Sequence, residues 1–138
     1  MKNTIEKKVI QPQGFSRPLG AYSHAVSAKP GRLLFIAGQV AVDGNQIIGQ
    51  NDFGAQMEQV FKNIGAILES AGASFENIVE YTTFMVREED LPLFYEKRKE
   101  IFSRIHGDGV YPPNTLLVIT RLAREELLLE IKAIAALP

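Results

Sequence analysis

The sequence predicts a two-layer α+β domain in which a mixed sheet carries two helices on one face. Three observations predict it. Two stretches place apolar residues at helical spacing, and short runs rich in β-branched and aromatic residues stand before, between and after them. The order is therefore strands, helix, strand, helix, two strands. Crossovers within one sheet are right-handed, so two helices can cover only one of its faces. The 138 residues suit one domain over 1–138, large enough to bury a core without disulfides or metal.

Pro12, Gly14, Pro18 and Gly20 mark residues 1–20 as loop-rich, with a strand starting at Lys8–Gln11. Tyr22–Ala28 alternates weakly and reads as a second strand. Leu33–Val42 (LLFIAGQVAV) is a strongly apolar run between Pro30-Gly31 and Asp43-Gly44. Asp-Gly suits a type I′ hairpin turn, whose central residues need positive φ, and Gln46–Ile48 then pairs back. Met57, Val60, Phe61, Ile64, Ile67, Leu68 and Ala71 form one helical stripe, with Asp52 as N-cap and Gly72 just past the end. Ile78–Val86 reads as a strand. A second helix starts near Asp90 with Pro92 in its first turn, buries Phe94, Ile101, Phe102 and Ile105, and stops at Gly107 and Gly109. Pro112-Pro113 leads into a strand over Thr115–Leu122. Arg124–Glu126 turns, and Leu127–Ala135 closes the chain. LLFIAGQV and TLLVI are apolar on both alternating faces, as strands buried on both sides are. No further helix is available to cover the second face. The sequence therefore predicts an oligomer with sheets packed inward and helices outward.

Composition excludes several classes. Hydrophobic residues make up 46% and charged residues 22%, which does not describe a disordered chain. There is no apolar run of membrane-spanning length, and MKNTIEKKVIQPQG has no apolar core of a secretory signal. Fifteen basic and 16 acidic side chains give a net charge of −1, without the basic stripe of a nucleic-acid binder. Cysteine is absent, which removes thiolate nucleophiles and Cys-based zinc sites and fits a reducing compartment such as the cytoplasm. The two histidines, His24 and His106, lie far apart, and no metal-ligand spacing or nucleotide-binding glycine motif occurs.

Several strings then fit a known pattern. Pro18-Leu19-Gly20-Ala21-Tyr22-Ser23-His24-Ala25-Val26 resembles the P-x-G-x-Y-S-x-A-V opening of the RidA/YjgF family. Leu34–Gln39 (LFIAGQ) is similar to the LF-x-SGQ strand of that family, and Gln56–Gly72 to its Q…N…L-x-x-A-G helix. Pro112 to Ala135 follows the P-A-R…E-I-E-A-I-A ending with changes. Older names for the family are endoribonuclease L-PSP and translation inhibitor. The resemblance implies a chorismate-mutase-like fold, a homotrimer, and a small-molecule cleft between each pair of subunits. It also implies hydrolysis of reactive enamines and imines to 2-keto acids and ammonia, with no metal or organic cofactor.

The departures from the pattern cluster at the implied site. Asn114 stands where the family has an arginine that forks onto the substrate carboxylate. An amide offers two N–H donors and no charge. In a desolvated pocket, losing the ionic partner costs about 3–5 kcal/mol, a factor of several hundred or more in affinity. Leu116 replaces a frequent cysteine, Ala37 replaces the serine of SGQ, and Tyr95 falls where an asparagine is common. Tyr22 matches the cleft tyrosine; the alternative is a core aromatic with a satisfied hydroxyl. Glu130 matches the glutamate that positions or activates water, and its strand alternation puts it with Leu128, Lys132 and Ile134. An apolar strand would suit such a carboxylate to proton transfer, whereas pairing with Lys132 or Arg121 would make it structural. Tyr22, Ala37, Gly38, Gln39, Tyr95, Asn114, Thr115 and Leu116 are thus the expected substrate contacts and Glu130 the expected catalytic residue.

Other polar residues read plainly. His24 reads as a surface or interface histidine, and His106 as a helix-end residue facing the dipole or solvent. Glu88-Glu89-Asp90 reads as a solvated helix start, and Lys97-Arg98-Lys99 as a short basic patch on an exposed helix, offset by Glu96 and Glu100. Three functions compete: a small-molecule binder or hydrolase with an altered substrate, an active 2-iminobutanoate/2-iminopropanoate deaminase, and an endoribonuclease or translation inhibitor. Charge and the missing histidine pair argue against the third.

Overall fold

The computed structural model describes residues 4–107 and 110–138; Gly109, read as a helix stop, lies outside them. Among the described residues, eight strands and two α-helices follow one another: β1 (Lys7–Ile10), β2 (Ala25–Ala28), β3 (Arg32–Gln39), β4 (Val42–Asp43), β5 (Gln46–Ile47), α1 (Phe53–Ser70), β6 (Ile78–Met85), α2 (Leu91–Ile105), β7 (Asn114–Val118) and β8 (Leu129–Leu137). The main sheet runs β3-β8-β6-β7, with β6 and β7 parallel and the other pairs antiparallel. β1 and β2 form a separate antiparallel pair. The mixed α+β architecture is the one expected.

α1 begins where the Asp52 carboxylate accepts a hydrogen bond from Ala55 N at 3.0 Å. It ends in a Schellman arrangement, with Gly72 N donating to Glu69 O and Ala73 N to Leu68 O. Its stripe of Met57, Val60, Phe61, Ile64 and Leu68 packs with Phe94, Ile101 and Phe102 of α2 onto Ile36, Tyr81, Met85, Leu129, Ile131 and Ala133 of the sheet. Full burial of each large apolar side chain contributes roughly 1.5–3 kcal/mol.

Several strand boundaries differ from expectation, the second strand spanning only Ala25–Ala28 and not Tyr22–Ala28. The Leu33–Val42 run divides, because β3 carries a bulge: Ile36 pairs with Ala133 and Gln39 with Ile131, so Ala37 and Gly38 share one partner position. The β4–β5 register leaves Gly44 and Asn45 as the central turn residues, and only Gly44 has positive φ (62°). That is the pattern of a type II′ turn, not type I′. β7 stops at Val118 because its partner β6 ends at Met85. β8 begins at Leu129, not Leu127, because the buried Gln56 side chain takes the backbone N–H of Leu128 and the carbonyl of Glu126.

The second face of the sheet stays open in a single chain. Leu33, Phe35 and Leu117 point away from the helices by register, and Phe35 is 70% exposed. Among the described residues, no helix is long and apolar enough to cross a membrane.

Candidate functional site

The expected site residues fall into three groups. The first surrounds Glu130. Residues paired across a ladder point to the same side, so Glu130 shares the open face with its partner Phe84 and with Lys132 and Ile134. Its carboxylate lies against Gly38, where a Cβ would overlap Oε2. The bulge at Ala37–Gly38 allows that approach, and Gln39 turns its amide back to donate to the Ala37 carbonyl at 3.2 Å. Among the described residues Glu130 forms no ion pair with Lys132 or Arg121; Arg121 instead donates to the carbonyls of Leu122 and Ala123.

The second group sits on the helix side of the sheet edge. Asn114 is in register with Tyr81, and its Oδ1 accepts a hydrogen bond from Thr83 Oγ1 at 2.8 Å. That leaves its two N–H donors. Leu116 points the same way and packs against the core, while Thr115 faces the open side. Asn114 and Glu130 therefore stand on opposite faces of the sheet. Within one chain they do not converge, and any shared cleft requires a second copy.

The third group lines a pocket of about 750 Å³ between α2 and the Leu19–Tyr22 loop. Tyr22 and Tyr95 both face it, joined by Tyr111 and by Arg98. Arg98 is the residue that sequence reasoning missed. It does not belong to an exposed basic patch, for it is only 5% exposed. The signal was present: Phe94, Arg98, Ile101 and Phe102 stand at i, i+4, i+7 and i+8, so position 98 lies on the buried face of α2. Its neighbour Lys97 is half-buried and paired, at 3.1 Å from Glu58 and 3.3 Å from Glu100.

Two other plain readings change. His106 faces neither solvent nor the helix dipole as a cation. It is buried between Phe75, Tyr81 and Phe102, and its Nε2 meets the Tyr81 hydroxyl at 2.9 Å. Burial, with a smaller contribution from Lys7, pushes its pKa down to about 4, so the ring is neutral at pH 7. Asp90 is buried too, because Arg87 forks onto its carboxylate at 2.9 and 3.2 Å. His24 is half-buried, its Nε2 2.7 Å from Ser16 O.

The scaffold around these groups is shared with known proteins. The sequence profile described as Endoribonuclease L-PSP matches residues 15–137. The chain belongs to the RidA/YjgF family. Mouse 2-iminobutanoate/2-iminopropanoate deaminase is 32% identical over 136 residues, 96% of this chain and 93% of that protein. YyfB from Yersinia pestis, a Rid-family protein of unknown function, superposes with a TM-score of 0.85 at 32% identity, covering 95% of this chain and 98% of its own. Escherichia coli TdcF, solved with bound serine, gives a TM-score of 0.70 at 27% identity over 95% and 99%. Within this RidA/YjgF scaffold, the bulge of β3 brings Gly38 onto Glu130, and Asn114 is bonded to Thr83.

Proposed function

We propose that this RidA/YjgF protein is a homotrimer binding a small metabolite in clefts between subunits. We read it as a cofactor-independent hydrolase of the imine or enamine type whose substrate differs from the small 2-imino acids. The observation that carries the reading is Asn114. It occupies the implied carboxylate position, with Oδ1 committed to Thr83 and only neutral N–H donors left. A neutral donor pair is roughly half as strong as a charged one, so a 2-imino acid would lose its anchor there. The chemistry itself would fall to Glu130. Its carboxylate takes the proton of a water as the oxygen bonds to the imine carbon and passes that proton to the nitrogen. It then carries the proton of the new hydroxyl to the nitrogen as C=O forms and the C–N bond breaks, releasing ammonia and leaving the carboxylate as it began. Support for the imine class comes from the mouse relative, and for a small-molecule ligand from the serine held by TdcF.

The test is hydrolysis of 2-iminopropanoate by the parent and by Asn114→Arg. The parent is expected to be slow or inactive, and the variant to gain activity. A parent as fast as the mouse deaminase would make this a plain 2-imino acid deaminase and overturn the argument from position 114.

A further inference from the structure

Arg98 is buried without the partner that a buried charge needs. Its Nε makes no hydrogen bond, and no carboxylate among the described residues pairs with it. The contrast within the molecule is sharp: Arg87 has Asp90, and Lys97 and Arg104 share Glu58, although all three are more exposed. Buried charges are ordinarily paired, because desolvation is not otherwise repaid. What holds Arg98 is aromatic. The guanidinium carbon lies 5.1 Å from the Phe94 ring centre, 5.6 Å from Tyr95 and 5.7 Å from Tyr22. These faces position the guanidinium plane but offer it no in-plane acceptor. One terminal nitrogen lies so close to Gly20 that a Cβ there would stand 2.7 Å away. The pocket into which it points is lined by two cations, Arg98 and Lys99, and by three tyrosines, with no carboxylate.

We propose that Arg98 is the anion-binding group of this pocket, and that the ligand is a carboxylate carried on a flat, unsaturated or aromatic body. A guanidinium fork matches the two oxygens of a carboxylate. The rings of Tyr22, Tyr95 and Tyr111 offer faces and edges to a planar body. The inference rests on the reading of this protein as a small-molecule binder, with Tyr22 and Tyr95 among the expected substrate contacts. It moves recognition of charge from position 114 to helix α2.

The experiment is equilibrium titration of the full chain with sodium benzoate and with benzamide, which share a ring and shape and differ in charge. Benzoate is expected to bind saturably, and benzamide more weakly by roughly tenfold or more. Arg98→Met, with its fold checked by thermal melting, should bind benzoate no better than benzamide. Arg98→Lys keeps the charge but not the fork and should fall between. Equal affinity for the two probes in the parent, or no benzoate binding, overturns the proposal even if no variant folds. So does undiminished benzoate binding by a folded Arg98→Met. Turnover is not read here, so a failure of imine hydrolysis strikes the earlier reading and leaves this one standing.

Discussion

His106 stays neutral in the folded chain because burial has pulled its pKa to about 4. An unfolded histidine titrates near about 6.5. Between those values the unfolded chain binds a proton that the folded chain refuses, so stability is complete above about pH 6.5 and falls as pH drops toward about 4. The loss should approach about 3 kcal/mol at pH 4. Urea midpoints at neutral and acid pH check it, and His106→Gln should flatten the dependence. Gly38 is set by its neighbour instead. Its φ is not positive, so alanine brings no backbone strain, but the new Cβ would overlap the Glu130 carboxylate. Gly38→Ala is expected to melt close to the parent while lowering any measured hydrolysis toward the level of Glu130→Gln, by up to roughly a hundredfold. The sequence made Glu130 and Asn114 visible through their motif. It concealed Arg98 and His106, because a basic residue is read as exposed until the apolar spacing around it is weighed against its charge.

Among the elements, the helices were legible and the strand ends were not. A helix stripe is decided by residues three and four apart on the same segment, so Met57 to Leu68 could be read locally. Strand ends depend on partners elsewhere: β7 is as long as β6 permits, and β8 starts where Gln56 releases the backbone. Gln56 is fully buried and makes three such bonds, donating to Gly49 O at 3.1 Å and Glu126 O at 2.8 Å, and accepting from Leu128 N at 2.8 Å. Gln56→Leu keeps the volume but leaves Glu126 O and Leu128 N unpaired, whereas Gly49 O keeps its bond from Asp52 N. Each buried unsatisfied group costs about 1–3 kcal/mol, and solvent reaching the half-buried Glu126 relieves part of that. A loss of about 3 kcal/mol in urea denaturation is expected. Asn63 joins α1 to the β4 segment in the same way, donating to Val40 O and Val42 O at 3.0 Å each. These two amides are the Q and N of the helix motif, which gives that motif a structural reason.

At the scale of the whole molecule, the open sheet face decides. One chain leaves Leu33 at 51% and Phe35 at 70% exposure on the side away from the helices, beside Phe84, Leu117 and Ile134. An exposed apolar face of this kind marks an interaction surface. It is also the face that carries Glu130, whereas Asn114 and the Arg98 pocket lie elsewhere. Packing sheet faces around a three-fold axis would cover the apolar side chains and bring the Glu130 face of one copy toward residues of another. The mass in solution is therefore expected near three times 15.3 kDa by light scattering. Phe35→Glu tests the cause, because Phe35 contributes nothing to the core of its own chain. A carboxylate there would have to be desolvated in the interface, a cost of several kcal/mol per ion. The variant should scatter as a single chain while keeping its helical circular dichroism. A parent already at the mass of one chain would leave the face uncovered and remove the route by which Glu130 and Asn114 could share a site. A variant that stays trimeric would place the interface on another surface.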